Sequence, residues 1–389
     1  MKNNKTVNLL IAIDSFKGSL DTMMAGSAVG EAAKETFQNA KIDICPLADG
    51  GEGTMEALVS ALGGMCVSLK VCDPLCDTIY ANYGFTREGV AVIEMASASG
   101  ITLIPKEKRN PMYTTSFGTG ELIRHAILKG GCRKFIIGIG GSATNDGGVG
   151  MLTALGFEFL DENGDPIPLG GGGLLSLKKI KTDNVLPELS ECEFLVACDV
   201  TNPLCGENGA SCVYGPQKGA TAEIIERLDK ALLNYAHLTR EIFPDADENY
   251  PGSGAAGGLG FALHTYLHAE LKSGIDLVMD AMGIREAIKE CDLVITGEGR
   301  LDSQSAMGKA PIGIAKEAKI HGKPVIAFSG CVADGAEKCN EAGIDAYFPI
   351  LRRPVSLSEA MDVENAYKNL RDTAVQAFRL VGAVIDADR

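Results

Sequence analysis

The sequence predicts an α/β protein of two domains: a Rossmann-like parallel sheet with helices on both faces, and an inserted mixed α/β domain. Three observations carry this expectation. Both ends of the chain alternate short apolar runs with helical patterns, which is the order of a parallel sheet covered by helices. The middle shows alternating runs separated by short turns, which is the order of antiparallel strands. Glycine-rich turns that carry acids follow apolar runs at three places, residues 49–54, 138–148 and 296–302.

The first strand is expected over residues 7–13 and stops at Asp14-Ser15-Phe16-Lys17-Gly18-Ser19. A helix follows, because Met24/Ala28/Ala32 and Val29/Ala33/Phe37 recur at i, i+4 and give one apolar face, with Asp21 placed as N-cap. A second strand over 41–47 leads into Ala48-Asp49-Gly50-Gly51-Glu52-Gly53-Thr54, and residues 55–62 read as a helix closed by Gly63-Gly64. Residues 67–71, 79–85 and 90–95 alternate and read as antiparallel strands. Lys134-Phe135-Ile136-Ile137 reads as a buried strand feeding the turn 138–148 and a helix from Gly150, and residues 194–198 form a strand ending at Asp199. The strand–helix order then resumes: strand 292–296, helix 311–319, strand 324–329, strand 346–350 and closing helices over 357–380. The expected domains are therefore residues 1–66 with 284–389, and an insert over 67–283. Ligands of parallel sheets bind at the carboxyl ends of strands, and Asp14, Asp49, Glu298 and Ser329 all fall at such ends.

With 389 residues, 46% hydrophobic and 22% charged, the chain can bury a core; its 47 glycines show no period, which excludes collagen-like order. A net charge of −15 without a Lys/Arg cluster argues against nucleic-acid or membrane-surface partners. The few cations inside glycine-rich motifs, Lys17, Lys218, Arg300 and Lys309, are then the candidates for holding anions. Twelve cysteines include no Cys-x-x-Cys pair, so they read as reduced, small apolar residues. The start of the chain is polar and short, and no apolar stretch reaches the roughly 18–20 residues of a membrane span, so a cytoplasmic protein is expected. His264 and His268 lack the Glu of a His-Glu-x-x-His zinc helix, and no Gly-x-Ser-x-Gly elbow occurs.

Each chemical constellation has a bland alternative. Asp14 to Ser19 joins a carboxylate, a lysine and a helix start, suited to phosphate or carboxylate; the alternative is an ordinary turn with an exposed lysine. Asp49 to Thr54, with Gly50, Gly51 and Gly53, suits a phosphate with its divalent cation, since hard cations take carboxylate oxygens; the alternative is a solvated tight turn. Gly138-x-Gly140-x-x-Ala143 fits a dinucleotide fingerprint with Glu158 as the ribose acid, the basis of an NAD-dependent dehydrogenase reading. Gly141, Ser142, Thr144, Asn145 and Asp146 crowd that turn with groups suited to metal, phosphate or hydroxyls instead. Gly252-x-Gly254-x-x-Gly257 follows no strand and is discounted. Asp199 and Asn202 are a candidate base or ligand, or an Asx-type turn; Lys218 lies in a turn-rich loop. The run Thr296 to Ser305, with Glu298, Arg300, Asp302 and Ser303 and with Lys309 shortly after, gathers two acids, two cations and several hydroxyls just after a strand and before a helix.

Together these stretches resemble the bacterial glycerate kinases of the glyoxylate and galactarate pathways. The resemblance runs through Asp14 to Ser19, Ala48 to Thr54, Arg109-Asn110-Pro111, Thr114-Thr115-Ser116-Phe117-Gly118-Thr119-Gly120-Glu121-Leu122, residues 140–148, 197–206 and 214–220, Ala255-Ala256-Gly257-Gly258-Leu259-Gly260, and 296–304, which is nearly the whole chain. Ile13, Ala306-Met307 and Leu351-Arg352-Arg353 depart from the family pattern. The resemblance implies two α/β domains around a cleft that holds the active site, D-glycerate phosphorylated with ATP and Mg²⁺, and 2-phosphoglycerate as the product. It implies Asp49, Glu52 and Asp146 as metal ligands, with Lys17, Asp199, Glu298 and Asp302 as catalytic groups. Ser15, Lys17, Ser19, Gly50, Gly51, Gly53, Thr54, Gly140, Gly141, Ser142, Thr144, Asn145, Asn202, Lys218, Arg300, Ser303 and Lys309 would bind substrate and phosphate. The expected partners are small molecules, with the chain a monomer or homodimer. A non-enzymatic anion-binding protein is the third reading of the same residues.

Overall fold

The computed structural model describes residues 6–37, 39–47, 58–59, 61–303, 305–307 and 309–387. In chain order its strands are β1 (Val7–Ile11), β2 (Ala40–Ile44), β3 (Met65–Cys72), β4 (Thr78–Phe85), β5 (Val90–Glu94), β6 (Lys134–Gly138), β7 (Glu158–Leu160), β8 (Lys179–Lys181), β9 (Glu193–Ala197), β10 (Glu270–Lys272), β11 (Leu293–Leu301), β12 (Val325–Val332) and β13 (Ala346–Pro349). The chain divides into two compact units, Met1–Asp49 with Val278–Arg389, and Gly50–Leu277; the joins expected from sequence were at 66/67 and 283/284.

The first unit is an all-parallel sheet in the order β13-β12-β11-β1-β2. β1 lies between β11 and β2, with Leu9 beside Leu293 and Ile42, and its successive residues Leu9, Leu10 and Ile11 are all buried, so this inner strand is apolar on both faces, as buried parallel strands must be. The helix Thr22–Thr36 starts where the sequence places it: the Asp21 carboxylate accepts the Met24 N–H at 2.7 Å. Its buried face is small (Ala25, Ala28, Val29, Ala32, Ala33), which lets it lie close to the sheet and to the long helix Val363–Ala387, whose Leu370, Ala374 and Phe378 share the same core as Leu9 and Ile11. The helices Ile284–Glu290 and Ala310–Ile320 bury Ile288, Ile312 and Ile314 outside that cluster.

The segment expected as a loop after residue 296 is instead strand. β11 runs on through Gly297-Glu298-Gly299-Arg300-Leu301 and pairs with β12 at Glu298↔Ser329, Arg300↔Cys331 and Leu301↔Val332. The physical reason is the glycines. A Cβ at Gly297 would sit 2.2 Å from the Phe328 carbonyl oxygen, so only glycine lets the two backbones approach here.

The second unit carries a six-stranded sheet in the order β10-β9-β6-β5-β4-β3. The expected meander is present as antiparallel β3–β4–β5 pairs, after which β5, β6, β9 and β10 run parallel, so the sheet is mixed. β7 pairs with β8 as a separate antiparallel ribbon. Over one side an aromatic group packs edge to face: Phe157 with Tyr266 at 5.2 Å and Tyr235 with Phe261 at 5.5 Å between ring centroids. The Tyr266 hydroxyl lies 2.7 Å from the Thr239 hydroxyl, which satisfies both buried groups.

Candidate functional site

In the first unit the candidate residues collect at the carboxyl ends of β1 and β11. After β1 the chain makes the tight turn Phe16–Leu20, in which the Asp14 carboxylate accepts the Ser15 N–H at 2.6 Å, the Ser19 hydroxyl donates to the Phe16 carbonyl at 2.9 Å, and Lys17 is exposed. The turn leans on β11, since the Asp14 N–H donates to the Gly297 carbonyl at 3.0 Å. Glu298 projects from β11 and is 7% exposed; its Oε2 lies 3.6 Å from the Lys309 ammonium, and its Oε1 is buried with no hydrogen-bond partner among the described residues. Burial pushes its carboxyl above the usual carboxylate range, against the pull of the Ser305 hydroxyl and Lys309. Next to it Arg300 Nε sits 3.3 Å from Asp302 Oδ2, and the Asp302 Oδ1 accepts the Ser305 N–H at 3.2 Å. Lys309 is placed by the start of the helix Ala310–Ile320, whose Pro311 fixes the first turn. Ser303 is half-buried beside Gly335. Ser329, expected at the end of its strand, lies inside β12; it accepts the Leu301 N–H at 3.0 Å and donates to the Cys331 carbonyl at 2.6 Å.

In the second unit the turn after β6 is built differently. Gly140 and Gly141 are exposed, while Ser142, Thr144, Asn145 and Asp146 are buried. Asp146, expected as a metal ligand, is turned inward: Oδ2 accepts the Ser116 N–H and hydroxyl, both at 2.8 Å, the Thr115 hydroxyl at 3.3 Å and the Gly150 N–H at 3.3 Å, and Oδ1 accepts the Gly148 N–H at 3.1 Å. Burial raises its pKa and these donors oppose the rise. A carboxylate so filled holds the turn together rather than offering lone pairs to a cation. Lys218 is also fully buried, its ammonium donating to the Ser142 hydroxyl at 2.8 Å and the Thr144 carbonyl at 2.7 Å; burial pushes it down to about 7, with Asp146 pulling the other way. The Asn145 amide donates to the Ser211 hydroxyl at 2.8 Å, leaving Asn145 Oδ1 buried without a partner. Gly257, at φ +71°, lets a second loop press on this turn, where a Cβ would lie 2.0 Å from the Thr144 carbonyl oxygen.

Beyond β9, Asp199 is exposed and accepts the Gly274 N–H at 2.9 Å, at the start of the helix Gly274–Ala281. Asn202 donates to the Asn208 carbonyl at 2.8 Å and accepts the Tyr214 hydroxyl at 2.7 Å, so its side chain shapes its own loop. Glu158 is not at the end of a strand neighbouring β6; it begins β7, accepts from the Asn184 amide at 2.5 Å and lies 3.8 Å from Lys181, so the ribose-acid role has no geometric support. Asp49, Gly50, Gly51, Glu52, Gly53 and Thr54 lie outside the described residues, as does half of the helix expected over 55–62. A hollow of about 890 Å³ in the second unit, lined by Phe157, Phe194, Phe243 and Tyr266, lies at the amino ends of β9 and β10, the wrong end of these strands for the acids and lysine described above. Ser116, Thr115 and Ser305 lie in stretches singled out in the sequence but were given no role there. Only the run of hydroxyl residues before the helix Phe117–Leu128 hinted at Ser116.

Carboxylates, hydroxyls and lysines at the carboxyl ends of parallel strands, in a chain of net charge −15, define an α/β enzyme that handles small anions. A model of the glycerate kinase family matches residues 9–382. The chain is 48% identical over 368 residues to a glycerate kinase of Halalkalibacterium halodurans, covering 93% of this chain and 97% of that one. It is 47% identical over 365 residues to the glycerate 2-kinase of Escherichia coli, covering 94% and 95%. A crystal structure assigned to glycerate kinase 2 of Salmonella typhimurium superposes with a TM-score of 0.87 at 44% identity, covering 99% of each chain. The chain belongs to the glycerate kinase family, and is a kinase. Among the described residues no helix is long and apolar enough to cross a membrane.

Proposed function

We propose that this kinase transfers the γ-phosphoryl group of ATP to the 2-hydroxyl of D-glycerate. The observation that carries the reading is Glu298: a buried carboxylate with one oxygen unpartnered among the described residues, 3.6 Å from a lysine, in the carboxyl-terminal half of a parallel strand. An orphaned buried acceptor is costly, and strand ends of this kind are where ligands bind. Glu298 accepts the proton of the attacking hydroxyl; its raised pKa makes it a stronger base than an exposed glutamate. Lys309 lies beside it to neutralise charge gathering on the phosphoryl oxygens. Arg300, 65% exposed, reaches outward to take the glycerate carboxylate through its fork of N–H groups. Lys17 holds a second phosphate oxygen at the end of β1.

Mg²⁺ fits this donor set sparingly. No group of three His, Cys, Asp or Glu gathers among the described residues, but Mg²⁺ in phosphoryl transfer takes one or two carboxylates and completes its shell with phosphate and water. Asp302, beside Glu298 on the same strand end, would hold it, and the carboxylates of Asp49 and Glu52 remain candidates. Bound there, the ion would neutralise charge on the phosphate groups. The relatives named glycerate kinase and glycerate 2-kinase support this substrate and position.

The test is coupled ADP release. Release that requires D-glycerate and Mg²⁺, with a product whose phosphorus resonance splits as a doublet from the single C2 proton, supports the reading. A triplet places the phosphoryl group on O3, and ADP release indifferent to D-glycerate removes glycerate as the substrate.

A further inference from the structure

The first unit contains a second place built for an anion. After β13 the chain passes through Ile350 into Leu351-Arg352-Arg353, a stretch that departs from the family pattern, and there it lines a cavity of about 340 Å³. Three cations line it, Arg352, Arg353 and Lys368, against one lining acid, Glu359, with Asp372 paired to Arg352 outside the lining. In a protein of net charge −15 this is a local reversal of sign. Asn365, Lys368 and Asn369 reach it from one face of the helix Val363–Ala387, being spaced i, i+3, i+4 near the helix start, where the dipole favours negative charge. Two amides add donors, and Leu351 and Val355 supply an apolar side.

The cations are held but not consumed. Arg352 Nη2 lies 3.0 Å from Asp372 Oδ2 and 3.4 Å from the Asn369 side-chain Oδ1, which fixes the guanidinium at the rim. Arg353 pairs with Glu359 at 2.6 Å while its side chain stays 75% exposed. Lys368 makes no ion pair among the described residues. Glu359 sits on the short helix Leu357–Met361, and the other end of that helix touches the β1 turn: the Met361 methyl carbon lies 2.4 Å from where a Cβ on Gly18 would stand. The helix therefore links the cavity to the residue next to Lys17.

We propose that this cavity binds a small organic anion carrying both a phosphate and a carboxylate on a short carbon chain, and that its occupancy is felt at the Lys17 turn. Forked and point-charge cations suit the phosphate, the amides the carboxylate, and Leu351 with Val355 the carbon chain. An anion between Arg353 and Lys368 competes with Glu359 for Arg353, which shifts the helix that carries Met361. The site does not depend on the phosphoryl acceptor assigned above.

The test uses 3-phosphoglycerate as the probe, titrated calorimetrically into the full-length protein without nucleotide. Three proteins are compared: wild type, the surface variant Arg353→Gln/Lys368→Gln, and Lys309→Ala as a control for binding at the strand-end cluster. Expected are binding in wild type and in Lys309→Ala, and affinity weakened by about tenfold or more in the double variant. Initial rates without the probe should stay within about twofold of wild type in the double variant, and any response of the rate to the probe should disappear there. Binding lost in Lys309→Ala but kept in the double variant overturns the proposal, as does the absence of measurable heat in wild type. Lys368→Gln alone, changing an exposed and unpaired side chain, gives the same direction with the fold undisturbed.

Discussion

Two glycine-rich corners of this chain look alike in sequence and do opposite work. Gly138–Gly148 and Thr296–Asp302 both follow an apolar strand and both mix glycine with acids and hydroxyls. In the first, Asp146 is filled by five donors and Lys218 is locked between Ser142 and Thr144; every charge points inward. In the second, Glu298 keeps an oxygen without a partner among the described residues, and its other contacts are the Ser305 hydroxyl and a half-exposed lysine at 3.6 Å. The difference is one of satisfaction. A charged group whose hydrogen bonds are complete stabilises a fold, while one left incomplete has capacity to offer a substrate.

The sharpest way to break this contrast is substitution at the two carboxylates. Asp146→Ala leaves several buried donors unpaired and should destabilise the second unit by about 3 kcal/mol or more, with activity lost through unfolding. Thermal or urea unfolding checks it; a melting curve like that of wild type would contradict the inward role. Glu298→Gln is expected to do the reverse, keeping or raising stability because the burial penalty on the charge outweighs its contacts with Ser305 and Lys309, while removing the proposed base. Next in size, Lys309→Ala should lower kcat by about tenfold or more with little change in melting. An unchanged rate would take Lys309 out of the site.

Lys218 gives a pH signature of intermediate size. Its folded pKa, about 7, lies below the roughly 10.5 of an unfolded lysine, so the unfolded state binds the extra proton between those values. The stability of wild type relative to Lys218→Met should therefore rise as pH increases from about 7 to about 10.5, and be flat below that window. A difference that falls over the same range would mean the ammonium is stabilised, not penalised, by its surroundings. The smallest effect belongs to Gly140→Ala. Gly140 is exposed with nothing within 4 Å of an added Cβ, so rate and stability should move by no more than about twofold and 0.5 kcal/mol.

Much of the first unit was legible because local signals and tertiary outcome agree. Asp21 was read as an N-cap from its position before an apolar face, and it caps. The strand run past residue 296 was not legible, because alternating glycine reads as a turn. Only the partner strand β12, brought in from a later part of the chain, makes those glycines a close-packed ladder. The roles of the acids were equally hidden. Asp146 and Glu298 each sit among glycines and hydroxyls, and what separates them is whether Ser116, thirty residues upstream, reaches the carboxylate. The spacing of Ser116 and Asp146 carries no sign of that contact.

The most direct measurement pairs kcat with melting temperature for Glu298→Gln. The expected result is a protein that melts at or above wild type and turns over D-glycerate at least about a hundredfold more slowly. A variant that keeps its rate would contradict the assignment of the unpartnered carboxylate as the working group of this kinase.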